Sequence, residues 1–170
     1  MLLTVVVCMG DNWPGGGKGR LSGGQWLFRG AHYHSVDDKG RVIIPLRFRN
    51  ELGTTFVITK GLDRCLFVFR EDAFREMEDK LQAQPTLDRH AIRLQRWFCA
   101  EAVETQVDNQ GRVAIPGNLR DFAGITEEVV IIGTSNKIEV WSKAGWDGFN
   151  ADMTDEDIAV SAVEVGLGKF

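Results

Sequence analysis

The sequence predicts an α+β fold built from two tandem β-rich repeats, with helices between and after them. Three observations lead there. First, VDDKGRVIIP at 36–45 returns as VDNQGRVAIP at 107–116, a shift of 71 residues. The match runs on through Arg49 with Arg120 and Gly53 with Gly124. After a one-residue insertion it continues through Gly61 with Gly133, Val68 with Val140 and Phe69 with Trp141. Self-similarity of this kind marks one supersecondary unit used twice. Second, between the copies the apolar residues take helical spacing. Third, at 170 residues, 44% hydrophobic and 26% charged, the composition is that of an ordinary soluble protein. No apolar run approaches the ~20 residues of a bilayer span.

Each repeat reads the same way. A short strand enters at 34–36 and again at 106–107. An Asp-x-x-Gly turn follows, where Gly40 or Gly111 can take a positive φ. Arg-Val-x-Ile-Pro is a strand, its β-branched residues suited to a pleated surface. Pro45 and Pro116 end it and open a helical turn closed by Gly53 or Gly124. Two further strands are predicted at 55–59 and 66–69, and at 129–132 and 138–141. Such a unit is too small to bury a core alone. In the spacer, Ala73, Phe74, Met77 and Leu81 place a helix over 71–84, started near Asp72 and stopped before Pro85. Pro85 and Thr86 open a second helix, and Phe74, Trp97 and Phe98 are expected in the core. Residues 143–150 repeat the first helix, and 154–165 form a loosely packed helix with acidic residues in its first turn. The expected organisation is a first repeat at 32–75, a helical spacer at 76–103, a second repeat at 104–147 and a helical tail at 148–170.

The charge is uneven. The net is -4, yet residues 29–70 carry eight Lys/Arg against four Asp/Glu, while 71–170 carry ten against nineteen. One short stretch is basic and the remainder acidic. Cys8, Cys65 and Cys99 are too scattered for a disulfide framework and are expected as reduced thiols.

The repeated element is Asp-x-x-Gly-Arg, with Asp37 and Arg41, then Asp108 and Arg112. It is poor material for catalysis, because no Ser-His-Asp or Cys-His set accompanies Asp37 and Asp38. His32 and His34 alternate on one strand, but nothing completes a metal site, so no metal or cofactor is expected. As a binding device the element makes more sense. The Asp can accept hydrogen bonds from its own loop and orient the Arg, whose remaining donors suit phosphate oxygens or a guanine edge. The same pair also fits a purely structural role, rigidifying the turn. The doubling of the turn, with Lys39, Arg47, Arg49 and Lys60 near the first copy, favours a polyanion contact.

LFRGAHYHSVDDKGRVIIPLRFR resembles the opening of the MraZ family, bacterial transcriptional regulators of the division and cell-wall gene cluster with two AbrB-like (SpoVT-AbrB) domains per chain. LQRWFCAEAVETQVDNQGRVAIPGNLRDFAGI and VVIIGTSNKIEVWSKAGW resemble later parts of it, and the likeness covers about residues 27–150. The resemblance implies a pseudo-symmetric swapped-hairpin (AbrB-like) β-barrel with peripheral helices. It also implies a ring-like homo-oligomer larger than a dimer, acting on short direct repeats of double-stranded promoter DNA, usually as a repressor of the cluster that includes its own gene. The expected place is the cytoplasm, at the nucleoid, with no membrane and no small-molecule substrate. Carried over residue by residue, the DNA-binding candidates are Lys39, Arg41 and Arg112. Arg29 and His34 are added, both also fitting a structural or solvated role. Asp37, Gly40, Asp108 and Gly111 would shape the turns. The second copy departs from the first, with Gln110 for Lys39, Asn118 for Arg47 and Asp121 for Asn50. It should therefore bind DNA less strongly or serve a subunit interface, where Arg112 could bridge protomers. Two other readings stand beside this one: an AbrB-like oligomerisation or antitoxin-type module with a protein partner, and an enzyme, for which no constellation speaks.

Residues 1–26 differ from the rest. An apolar run without a basic lead-in precedes NWPGGGKGRLSGG, which has six Gly in thirteen residues and the composition of a linker. Lys18 is followed by Gly19, not Ser or Thr, so GGGKG is no phosphate loop. Chains of the resembling family begin with Met-Phe where this one reads Leu27-Phe28, a position that a leucine-type start codon would occupy. The expectation is that 1–26 are absent from the native protein or disordered, against the alternative of a genuine extension.

Overall fold

The computed structural model describes residues 28–167. The expectations about the segment 1–26, including Cys8, the GGGKG stretch and the start at Leu27, lie outside the described residues. The first repeat runs β1 (Phe28–Ser35), β2 (Arg41–Ile43), α1 (Leu46–Leu52), β3 (Thr55–Lys60) and β4 (Leu66–Arg70). The spacer holds α2 (Glu71–Gln82) and α3 (Arg89–Cys99). The second repeat runs β5 (Val103–Gln106), β6 (Arg112–Ala114), α4 (Gly117–Ala123), β7 (Glu128–Ser135) and β8 (Ile138–Ser142). It is followed by α5 (Lys143–Asp152) and α6 (Asp155–Glu164). Pro45 and Pro116 sit at the start of the two short helices with φ of -51° and -54°, the value their rings impose.

The repeats are not side by side. Six strands form one antiparallel sheet in the order β1-β7-β8-β4-β3-β5, and β2 pairs with β6 in a separate ribbon. The entering strand of each repeat thus joins the last two strands of the other: β1 lies on β7, with Phe28 opposite Ser135, and β5 lies on β3, with Gln106 opposite Thr55. In the ribbon Val42 faces Val113, so equivalent residues meet at its centre. An approximate twofold axis passes between them. The closed barrel expected from the resemblance is not formed by these ladders. β2 and β6 pair with each other, joined to the large sheet's side only by the isolated bridge of Val36, just past β1, with Val42, and β1 and β5 remain as edges.

Alternation along the central strands builds two cores. Phe56, Ile58, Val68, Val129, Ile131 and Val140 face the ribbon, where Val42, Ile44, Val113 and Ile115 meet Phe48 of α1 and Leu119 of α4. The other face carries Val57, Phe67, Phe69, Val130, Ile132 and Trp141, covered by Phe74 and Met77 of α2, Phe98 of α3, and Trp146 and Phe149 of α5. Three layers result: ribbon with short helices, sheet, long helices.

Some expectations need correction. The entering strands begin earlier than 34 and 106, because each extends along the other repeat's sheet edge. Pro85 and Thr86 do not open α3. Asp88 does, its carboxylate accepting from the backbone N–H of His90 and Ala91 at 2.8 and 2.9 Å. Trp97 is 40% exposed. Its indole N–H donates to the Gly61 carbonyl at 3.2 Å and its ring packs edge-on against Phe122. Phe74 is buried and Phe98 partly buried against the second core. Cys65 is buried and Cys99 partly so, and both are thiols. Among the described residues no helix is long and apolar enough to cross a membrane.

Candidate functional site

The ribbon brings the two Asp-x-x-Gly-Arg turns together. Each closes on itself identically. The Asp37 N–H donates to the Arg41 carbonyl at 2.9 Å and the Gly40 N–H to the Asp37 carbonyl at 2.8 Å; in the second copy Asp108 with Arg112 and Gly111 with Asp108 give 2.8 Å each. The Asp37 Oδ1 accepts from the backbone N–H of Lys39 and Arg41 at 3.0 and 2.9 Å. The Asp108 Oδ1 accepts from Gln110 and Arg112 at 2.9 Å each. With one carboxylate oxygen spent on the loop, the other takes the arginine. Asp37 Oδ2 lies 2.8 Å from Arg41 Nε and 2.7 Å from Nη2. Asp108 Oδ2 lies 2.9 and 2.8 Å from the same atoms of Arg112.

The two pairs also face each other. Arg41 Nη1 stands 3.9 Å from Asp108 Oδ2, and Arg112 Nη1 stands 4.0 Å from Asp37 Oδ2. The result is a ring of two carboxylates and two guanidinia across the twofold, partly open to solvent. The Arg41 hydrogen bonds lead in holding the Asp37 carboxyl at about 2. The Arg112 backbone N–H and guanidinium do the same for Asp108, also at about 2. Both are charged throughout the physiological range. Their pull raises the Arg41 guanidinium in turn. Both arginine side chains stay partly exposed at the rim of this ring.

Gly40 and Gly111 stand at φ of 71° and 76°. Each is also a contact surface. A Cβ on Gly111 would lie 2.1 Å from the Arg49 guanidinium, and one on Gly40 would lie 2.6 Å from that of Arg120. The arginine of each short helix therefore crosses to seat on the other repeat's turn. The Ile44 N–H donates to the Gly111 carbonyl and the Ile115 N–H to the Gly40 carbonyl, both at 3.0 Å, completing the reciprocal clasp. The Nε atoms of Arg49 and Arg120 are buried there without a hydrogen-bond partner. Sequence reasoning placed Arg49 among the polyanion contacts and missed this role. The signal was its recurrence as Arg120 at the same offset from the turn; nothing local says that it reaches across.

The other candidates are spread out. Lys39 is exposed at the tip of the first turn, beside the ring. Arg112 is engaged within its own chain, with Asp108. Arg29 and His34 lie on opposite faces of β1 by their parity, and Arg29 is six residues back from Ser35, about 20 Å along an extended strand. The structure does not bring Arg29 to the turns. His34 is half-buried, and burial followed by the neighbouring His32 lowers its pKa, favouring neutral imidazole.

Fold and site define a tandem-repeat protein whose distinctive chemistry is a doubled, twofold-related turn displayed at the surface. The sequence matches the family described as "MraZ protein, putative antitoxin-like" over residues 27–97 and 98–163. It is 46% identical over 130 residues to the Transcriptional regulator MraZ of Moorella thermoacetica, covering 76% of this chain and 91% of that one. It is 45% identical over 143 residues to the Transcriptional regulator MraZ of Acetivibrio thermocellus, covering 83% of this chain and 100% of that one. The chain belongs to the MraZ family.

Proposed function

We infer that this protein is a DNA-binding transcriptional regulator that reads short direct repeats in promoter DNA. It represses the division and cell-wall gene cluster that includes its own gene, and it works at the nucleoid as a ring-like homo-oligomer larger than a dimer. The observation that carries the reading is the twin turn. Arg41 and Arg112 are oriented by Asp37 and Asp108 and stay partly exposed, and a guanidinium held in this way suits a guanine edge or a phosphate. Lys39 adds a phosphate contact on the first turn only, since the second carries Gln110, so the first repeat supplies more of the affinity. The relatives are named transcriptional regulators, which supports the regulatory part of this reading. The exchange of entering strands between repeats supports an AbrB-like swapped-hairpin relationship, here with an open sheet.

A weak contact per chain becomes useful when copies join, because simultaneous engagement multiplies binding by ~10² or more. The family description as antitoxin-like favours a second reading, a module with a protein partner. A gel shift on the protein's own upstream DNA against a scrambled duplex, at stated salt, separates them. Retardation of the upstream DNA alone supports the regulator, and equal behaviour of both duplexes overturns it.

A further inference from the structure

Two surfaces outside the twin turn have no cover among the described residues. On α3, Arg89, Ile92, Arg93, Arg96 and Trp97 recur at the spacing of one helix face and, with Lys60, line an open hollow of about 550 Å³. Lys60 is paired with Glu101, but Arg89, Arg93 and Arg96 have no ion pair among the described residues. The floor is apolar and partly exposed through Ile92 and Trp97. On α6 only Ala162 is buried, while Val160 and Val163 are 53% and 54% exposed. Glu156, Ala159, Val160, Val163 and Glu164 share one face, with apolar residues between two carboxylates.

The two faces are complements. One is an apolar floor between arginines, the other an apolar ridge between glutamates. Arg89 to Arg96 spans about 10 Å of helix and Glu156 to Glu164 about 12 Å. The helix α2 is acidic too, but it exposes no large apolar side chain, so charge alone would draw it and nothing would fill the floor. We propose that α6 of one copy docks in the α3 groove of the next copy, Glu156 and Glu164 meeting Arg89 and Arg96 around Val160 and Val163. This deepens the assembly part of the function inferred above by naming the joint. Such a contact joins unlike surfaces, so it passes from copy to copy and closes into a ring where the rotation permits. It also gives the acidic tail a task that does not oppose DNA.

The test is the mass of the full chain by light scattering, without DNA. Arg89→Glu with Arg96→Glu, and separately Glu156→Arg with Glu164→Arg, should each lose the high-mass species. An equimolar mixture of the two double variants should regain it, because each reversed face then meets its complement on a neighbour. Val163→Asp, at an exposed position, should lose the high-mass species without reversing either charged face, and circular dichroism checks that all variants are folded. Unchanged mass in both double variants, or no recovery on mixing, overturns the joint. So does a loss of DNA affinity by Arg89→Glu with Arg96→Glu at unchanged mass, which assigns the groove to DNA. A wild-type chain that assembles through this joint but ignores its upstream DNA overturns the regulator reading and leaves the joint standing.

Discussion

Asp37 and Asp108 each divide their two oxygens between tasks, Oδ1 for the loop's own N–H groups and Oδ2 for an arginine. Both carboxyls are held at about 2, against an ordinary value of 3.8. A carboxyl lowered on folding contributes stability that is present above its unfolded value and lost as pH falls through its folded value. The turns should therefore be intact above pH ~4 and loosen between about 4 and about 2. Carboxyl ¹³C titration should place both midpoints near 2; midpoints at the ordinary value would contradict the ring. Gly111→Ala should destabilise the chain by about 1–2 kcal/mol from the positive φ alone, more if Arg49 must leave its seat. Thermal unfolding measures it, and an unchanged Tm would remove the Arg49–Gly111 contact from the account. At this scale the turn was legible because it is local: an Asp, a Gly three on and an Arg four on specify it. The seats of Arg49 and Arg120 were not, since contacts between repeats leave no local spacing.

The strands show the same limit among elements. Strand positions followed from alternation and from the repeat, but alternation names a face and not a partner. Nothing in 28–35 says that it pairs with β7 rather than with its own repeat. The exchange makes the repeats interdependent. A fragment of residues 28–102 would leave β1 without β7 and β3 without β5. It should show no cooperative unfolding by circular dichroism, whereas a cooperative transition would mean that each repeat folds alone. The α3 start was misplaced because Pro85 and Thr86 make a plausible opening, yet the cap that satisfies the first N–H groups is Asp88. Asp88→Ala should cost about 1 kcal/mol in urea denaturation. A cost near zero would show that the cap is dispensable. The apolar period puts Trp97 on the helix face that packs inward, yet the ring stays exposed beside Phe122, because the period names a face and not how deeply it is covered.

In the whole molecule, the net charge of -4 looks wrong for a partner of DNA, and its distribution is what matters. The basic stretch 29–70 supplies the first turn, while α2, α5 and α6 carry much of the acid. The reading of DNA by the twin turn, proposed above, is open to one titration. Fluorescence anisotropy would follow wild type and Arg41→Ala on the upstream duplex and on a scrambled one across a series of salt concentrations. Arg41→Ala should weaken the upstream duplex by about 1–3 kcal/mol and the scrambled duplex far less, with oligomer mass unchanged. Equal weakening of both, with a shallower salt slope, would make Arg41 a phosphate contact only. Unchanged affinity for both duplexes would show that Arg41 does not touch DNA.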